Sequence, residues 1–359
     1  MLFTGRYASA KALLNFTGTD GTAKTQSVQI PGIKNWNMSI TQSPTAEPAS
    51  NTGGFNALSA GAKTGTGGFS VRGYPKLTDD PALTTLPAGL VNALLPGTKI
   101  SFTGDAGPVD VKNPGGDHQL WSGGAMISGL TWTGSWSASG STSETQYQLQ
   151  TLYEAAGDEW TNVEGAALPD TSIAKIAVPL KDCTAVQYGP VIAKTGSITE
   201  WLNDFPKMVG GIWTPTIEAA AASGYFNLNS VSATVNITNS VQTEATSCSG
   251  GWVEAAVGVY DLTTSIQVNM NSADLEKFQV PGVCHALKVA ADNCDPNRYW
   301  LFNPMMLNGI NGLTVDRSGS MIQLTFDSQF TAASCDCEAL EAMPVIQDPN
   351  GNNFFNLMP

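Results

Sequence analysis

Apolar and polar residues alternate with a period of two along much of the chain. Trp36, Met38 and Ile40 stand between Asn37, Ser39 and Thr41. Val231, Ala233, Val235 and Ile237 repeat the pattern around Ser232, Thr234 and Asn236, and Ile322, Leu324 and Phe326 do so around Gln323 and Thr325. Such alternation buries one face of an antiparallel strand and leaves the other in water. Threonine and serine at the outward positions suit a pleated surface, and clusters of Gly, Asn, Ser and Pro between the runs supply turns. Helical spacing is confined to short stretches. Ser197 and Glu200 have the spacing of a capping box, Ile198, Trp201, Leu202 and Phe205 then share a face, and Pro206 ends the run. A second short helix is expected from Thr214-Pro215 to before Gly224, and a further turn or two over Ser272–Phe278. The pattern predicts a mainly β protein with a few short helices.

The strand pattern occurs twice. Gly53-Gly54-Phe55 aligns with Gly250-Gly251-Trp252 at an offset of 197 (250 − 53), and the same offset carries Gly61 onto Gly258. It also carries Met38-Ser39-Ile40-Thr41 onto Val235-Asn236-Ile237-Thr238. Further on, Leu95-Pro96-Gly97 faces Val280-Pro281-Gly282, Trp121 faces Trp300, and Gly129-Leu130-Thr131-Trp132 faces Gly312-Leu313-Thr314-Val315. A closing strand follows in each half, near Gln146–Tyr153 and Met321–Phe330. Landmarks in the same order point to a tandem duplication. The expected domains are residues 1–165, residues 166–340 with a helical insertion near 196–224, and a C-terminal tail, 341–359.

The run IPGIKNWNMSITQSP, a Gly-rich hairpin, LLPGTKISF, LWSGGAMISGLTW and a closing strand together resemble the tail tube proteins of tailed bacteriophages. The second half is similar: NSVSATVNIT, GGWVEAAVGVYDLTTSIQVNM, VPGVCHALKV, RYWLFNPMMLNGINGLTVDR and GSMIQLTFDSQF. The resemblance spans most of residues 30–153 and 226–332. It implies two tandem antiparallel β-sandwich or barrel domains, with Gly53–Tyr74 and Gly250–Met270 as hairpins lining a lumen. It further implies that three chains close a pseudo-hexameric homotrimeric ring, and that rings stack into a conduit for the genome. The implied partners are further copies of the chain, a tape-measure protein and tail-end proteins, with viral DNA passing through unbound. The implied location is the virion tail, after synthesis in the host cytoplasm. Two alternatives stand beside the main tube subunit: a tail-end ring protein of the same fold, and a glycan-binding β-sandwich surface module using exposed aromatics.

Charge narrows the classes. The 359 residues hold 17 Lys and Arg against 30 Asp and Glu, a formal net charge of −13. A surface of that sign repels phosphates, which argues against sequence-specific nucleic-acid binding and suits a bore that lets DNA slide. No run of about 18 apolar residues is present to span a membrane as a helix, and the N-terminal MLFTGRYASAKALLNF lacks a secretory core. A soluble chain without a membrane anchor is expected.

No residue pattern asks for a catalytic, metal or cofactor site. All six cysteines (Cys183, Cys248, Cys284, Cys294, Cys335 and Cys337) lie in the second half, and their spacings fit no zinc knuckle. Buried thiols or one or two disulfides are expected instead. Cys284-His285 on a strand would point to opposite faces, which disfavours a catalytic pair and makes His285 an interior or interface residue. No G-x-S-x-G elbow accompanies His118 or His285. Gly65-Thr66-Gly67-Gly68 lies in a β pattern and lacks the Lys-Ser/Thr ending of a phosphate loop. Asp348-Pro349-Asn350-Gly351-Asn352 reads as a turn, since a calcium loop's Gly and closing Glu are displaced or missing. Asp158, Glu159 and Glu164 read as a solvated linker. Trp36, Trp132 and Trp252 are expected in cores, and Trp160, Trp201 and Trp213 as braces near the junction. The tail carries Phe354, Phe355, Leu357 and Met358, which are expected to dock on the chain's own second domain or on a neighbouring subunit.

Overall fold

Extended strands dominate, as the period of two requires. The computed structural model describes residues 9–17, 23–48, 56–75, 94–106, 118–137, 140–153, 157–165, 168, 184–245, 251–270, 282–291, 295, 297–314, 322–331 and 341–356. The first ten strands are β1 (Ser9–Thr17), β2 (Ala23–Gln29), β3 (Ile33–Gln42), β4 (Thr45–Pro48), β5 (Asn56–Ser59), β6 (Lys63–Arg72), β7 (Lys99–Ala106), β8 (His118–Ser137), β9 (Gly140–Thr151) and β10 (Thr161–Gly165). Next come β11 (Val186–Gly189), α1 (Ile198–Asn203), β12 (Lys207–Val209), β13 (Ile212–Thr214), α2 (Ile217–Ala222) and β14 (Phe226–Leu228). The chain continues through β15 (Ser230–Asn239), β16 (Gln242–Ala245), β17 (Val253–Ala256), β18 (Tyr260–Met270), β19 (Cys284–Ala290), β20 (Tyr299–Thr314), β21 (Ile322–Phe330) and β22 (Val345–Gln347). The fold is mainly β, with antiparallel sheets and two short α-helices among the described residues.

The first helix forms where its capping signal puts it; the second starts later than Thr214-Pro215, because Thr214 ends β13 and Thr216 is the cap. Ser197 caps α1 by accepting the Glu200 amide at 3.4 Å, and Thr216 caps α2 by accepting the Ala219 amide at 3.2 Å. Trp201 and Phe205 are buried and meet edge-on, with ring centroids 4.7 Å apart. The turn expected over Ser272–Phe278 lies outside the described residues.

Two compact units draw on both halves of the chain. One comprises residues 1–130, 145–174 and 237–260, the other 131–144, 175–236 and 261–359. Each unit therefore takes segments from both sides of position 165, and strands β8, β9 and β15 each run from one unit into the other.

In the first unit the strand order is β2-β1-β7-β8-β9-β6-β3, with β10 added on β8. Its core is an aromatic stack: Phe69 lies against Phe102 at 5.5 Å and against Tyr147 at 4.6 Å, and Trp36 meets Phe102 edge-on. Trp160 lies in a bed of glycines: a Cβ at Gly123 would overlap its ring, and one at Gly65 or Gly67 would press on it at 3.0 or 3.3 Å. Its Nε1 donates to the Gly124 carbonyl at 2.7 Å. In the second unit the order is β14-β11-β19-β20-β21-β18-β15, with β22 on β20. Trp300 is the hub there, with Trp132, Phe302 and Phe354 at centroid distances of 6.3, 5.8 and 6.2 Å. A neighbouring cluster joins Ile192, Trp201, Phe205, Ala286, Leu301 and Val345. Beside it the buried Asn303 donates to the Ile192 and Met343 carbonyls and accepts the Ile192 amide.

Candidate functional site

The features that recur are backbone devices, and they recur in the same register. β3, β4 and β5 end at Gln42, Pro48 and Ser59, and β15, β16 and β17 end at Asn239, Ala245 and Ala256, each 197 residues on (239 − 42, 245 − 48, 256 − 59). Thr45 pairs with Ser59 and Pro48 with Asn56, as Gln242 pairs with Ala256 and Ala245 with Val253. The Arg72 amide donates to the Gly32 carbonyl at 2.9 Å, and the Asn269 amide donates to the Asn229 carbonyl at 2.9 Å, again at that offset (269 − 72, 229 − 32).

Each hairpin crosses itself at a glycine. A Cβ on Gly61 would overlap the Ser43 carbonyl oxygen, and a Cβ on Gly258 would overlap that of Ser240. Gln42 Nε2 donates to the Gly61 carbonyl at 2.8 Å. Asn239 does more: its Nδ2 donates to the Gly258 carbonyl at 3.2 Å, and its Oδ1 accepts the Gly258 amide at 2.8 Å. The Gly97 and Gly282 turns match as well. Both have positive φ, +87° and +92°, which glycine alone adopts without strain. Gly97 donates to the Ile127 carbonyl and Gly282 to the Leu307 carbonyl, both at 2.7 Å; Ile127 and Leu307 donate back to Thr98 and Val283. Trp121 then stands opposite Gly104 on β7, and Trp300 opposite Val289 on β19, five residues past Lys99 and Cys284 respectively (104 − 99, 289 − 284).

The remaining landmarks fall as follows. Pro96 is buried, Trp121 half-buried and Trp300 buried. Gly251 has φ of +87°, and its carbonyl accepts the Lys63 amide at 2.6 Å. The buried Trp252 lies under the Lys63 ammonium, 5.6 Å from the ring centroid. Gly53, Gly54, Phe55, Gly250 and Pro281 lie outside the described residues. So do Leu357 and Met358. Within the second unit Phe354 is buried edge-on against Trp300, and the half-buried Phe355 faces Phe330 at 6.3 Å. Trp201 and Trp213 belong to the second unit and Trp160 to the first.

The side chains that suggested chemistry are occupied structurally. Asp105 is fully buried; it accepts from Leu168 N and lies 2.7 Å from His118 Nδ1, while Trp36 Nε1 donates to the Asp105 backbone carbonyl. His285 is buried, stacked on Tyr188 at 4.3 Å, with Nε2 3.3 Å from Ser328 Oγ. Desolvation holds its pKa down at about 4, against a weak opposing contact with the Val283 carbonyl. Burial likewise raises Tyr188 to about 12 and lowers Lys288 to about 8, the latter with help from Lys207. Cys284 is held in a disulfide. Gly65–Gly68 run within β6, not ahead of a helix. The Asp348 carboxylate accepts the Asn350 and Asn352 amides, closing a turn with its own backbone.

Sequence reasoning missed the Asp105–His118 pair and the Asn303 clamp, because each partner lies far along the chain in a stretch with no motif. Among the described residues no group of three or more His, Cys, Asp and Glu side chains is placed to hold a metal ion. What the arrangement offers is matched backbone edges and hairpins. Compared with known proteins, the chain matches no protein-family model, and no curated protein is significantly similar to it.

Proposed function

We propose that this chain is a virion structural protein, the main tail tube subunit. In this reading two tandem copies of one β domain assemble as homotrimeric rings, and the rings stack into a hollow genome conduit. The observation that carries the reading is the repeated pairing scheme. Seven strands follow one order twice, β2-β1-β7-β8-β9-β6-β3 and β14-β11-β19-β20-β21-β18-β15, with hairpins in the same register. A chain made of two equivalent domains satisfies sixfold-like packing with three copies, and a heterologous contact that closes makes a ring. The family resemblance of both halves and the net charge of −13, which disfavours phosphate contacts, support the same reading. The buried titratable groups serve packing, so no enzymatic role is proposed.

Negative-stain imaging of the concentrated protein, with mass measurement of the particles, tests this. Rings of three chains, single or stacked, are the expected result. Long stacks fit the main tube subunit, whereas isolated rings fit a tail-end ring. A protein that stays monomeric at high concentration and binds glycans would replace the proposal with the surface-module reading.

A further inference from the structure

The two equivalent strands β3 and β15 differ in their surroundings. In β15 every second residue from Ala233 to Asn239 is buried, whereas β3 is mostly exposed. Ile40 is 41% exposed and its counterpart Ile237 only 1%. Their lateral neighbours differ as well: β15 lies between β18 and β8, but among the described residues β3 pairs with β6 alone. Within the second unit, the Thr131 hydroxyl of β8 donates to Asn236 Oδ1 of β15 at 2.8 Å.

The counterpart of β8 is β20, and it shows the complementary deficit. Met126 pairs with Lys99 as Met306 pairs with Cys284, each at the start of its strand after the Pro-Gly turn. Met126 is fully buried, whereas Met306, although flanked by Cys284 of β19 and Gln329 of β21, is 38% exposed. Beyond Leu307, β20 pairs with β21 on one side, and the described residues supply no strand on the other. Among the described residues one edge is thus left over in each half, and each is the kind that the chain elsewhere covers with the other. Asn35–Gln42 and Asn308–Thr314 contain no charged residue and no proline; Lys34 and a register shift mark only the start of β3, and β20 shifts register against β21 after Leu307 and Asn311.

We infer that β3 of one copy pairs with the distal part of β20 of a second copy, repeating between chains the contact that β15 makes with β8 within one. The occupant is a second copy of this chain, joined head to tail. The pairing itself stands on the two edges; only closure at three chains rests on the tail tube reading.

The test uses full-length chains carrying Ile40→Lys or Ile310→Lys, Ile310 lying beyond Leu307, where β20 pairs with β21 alone among the described residues. Ile40 is exposed and Ile310 half-buried at an open edge in the single chain, so a lysine ammonium reaches water there; in the joined state it would be held against the neighbouring strand without a partner. Each variant is expected to need about a 100-fold higher concentration to associate, while keeping the wild-type circular dichroism spectrum. Mixed in equal amounts, the two variants should give dimers and nothing larger in sedimentation velocity, because each retains one good edge. Ile40→Thr and Ile310→Thr repeat the test with a side chain that a strand readily accepts. Wild-type-like assembly of either lysine variant, or an equimolar mixture of folded variants that stays monomeric, overturns the inference. Chains that join through these edges without closing at three leave the pairing standing and remove the tail tube reading.

Discussion

Replacing Gly258 by alanine puts a methyl group where the Ser240 carbonyl oxygen already sits, and the obstacle is backbone, which cannot rotate aside. The strands must separate locally. Separation also pulls Gly258 from Asn239, whose side chain makes both a donated bond at 3.2 Å and an accepted one at 2.8 Å. Overpacking of this kind costs about 1–3 kcal/mol. The two hydrogen bonds add about 1 kcal/mol each, because Asn239 is buried and cannot turn to water instead. The expected loss is therefore about 3–5 kcal/mol. At a urea slope of about 2 kcal/mol per molar, the unfolding midpoint should fall by about 1.5–2.5 M. Gly61→Ala meets the same obstacle at the Ser43 carbonyl, but breaks only the exposed Gln42 contact. Its loss should be smaller, about 1–3 kcal/mol. Urea titrations followed by circular dichroism and tryptophan fluorescence compare both variants with the wild type. A Gly258→Ala midpoint within about 0.3 M of wild type would refute the reasoning. So would a larger loss for Gly61→Ala than for Gly258→Ala.

Three further outcomes are expected. His285 titrates at about 4 when folded against 6.5 when exposed, so the unfolded chain binds the extra proton between those values. Its contribution to stability is complete above about pH 6.5 and is lost as pH falls toward 4, by up to about 3 kcal/mol. His285→Phe should flatten that part of the stability–pH profile, and an unchanged slope counts against the buried neutral imidazole. Phe354→Ala should cost about 3–5 kcal/mol in thermal or urea unfolding, because the ring is 1% exposed on Trp300; Phe355→Ala should cost clearly less, and equal losses would contradict the packing described. The Lys194–Glu341 pair spans 2.8 Å on the surface, so Lys194→Ala should leave the unfolding midpoint unchanged at physiological salt, which calorimetry checks directly.

By itself the sequence determined the long alternating strands, the Ser197 cap and the recurrence, whereas the short strands β12, β13 and β22 and the Thr216 cap came from the structure. Each of the former depends on residues close along the chain: alternation sets the face of β3 or β15, Ser197 reaches an amide three residues on, and Gly97 and Gly282 permit a positive φ that their own turn demands. The offset of 197 was legible for the same reason, since a hairpin's register is set by its own length and turn. Tertiary structure alone decided which faces are covered. Ile40 and Ile237 stand in the same alternating pattern, yet one is 41% exposed and the other 1%. Trp132 joins the core of the second unit although it lies in the first half of the chain. His118 finds Asp105 and Asn303 finds Ile192 across intervals of 13 and 111 residues without any motif. Burial is a property of what packs on top of a residue, and strands distant along the chain supply that cover. Equivalent strands therefore end with unequal edges, which is where the assembly proposal finds its interface.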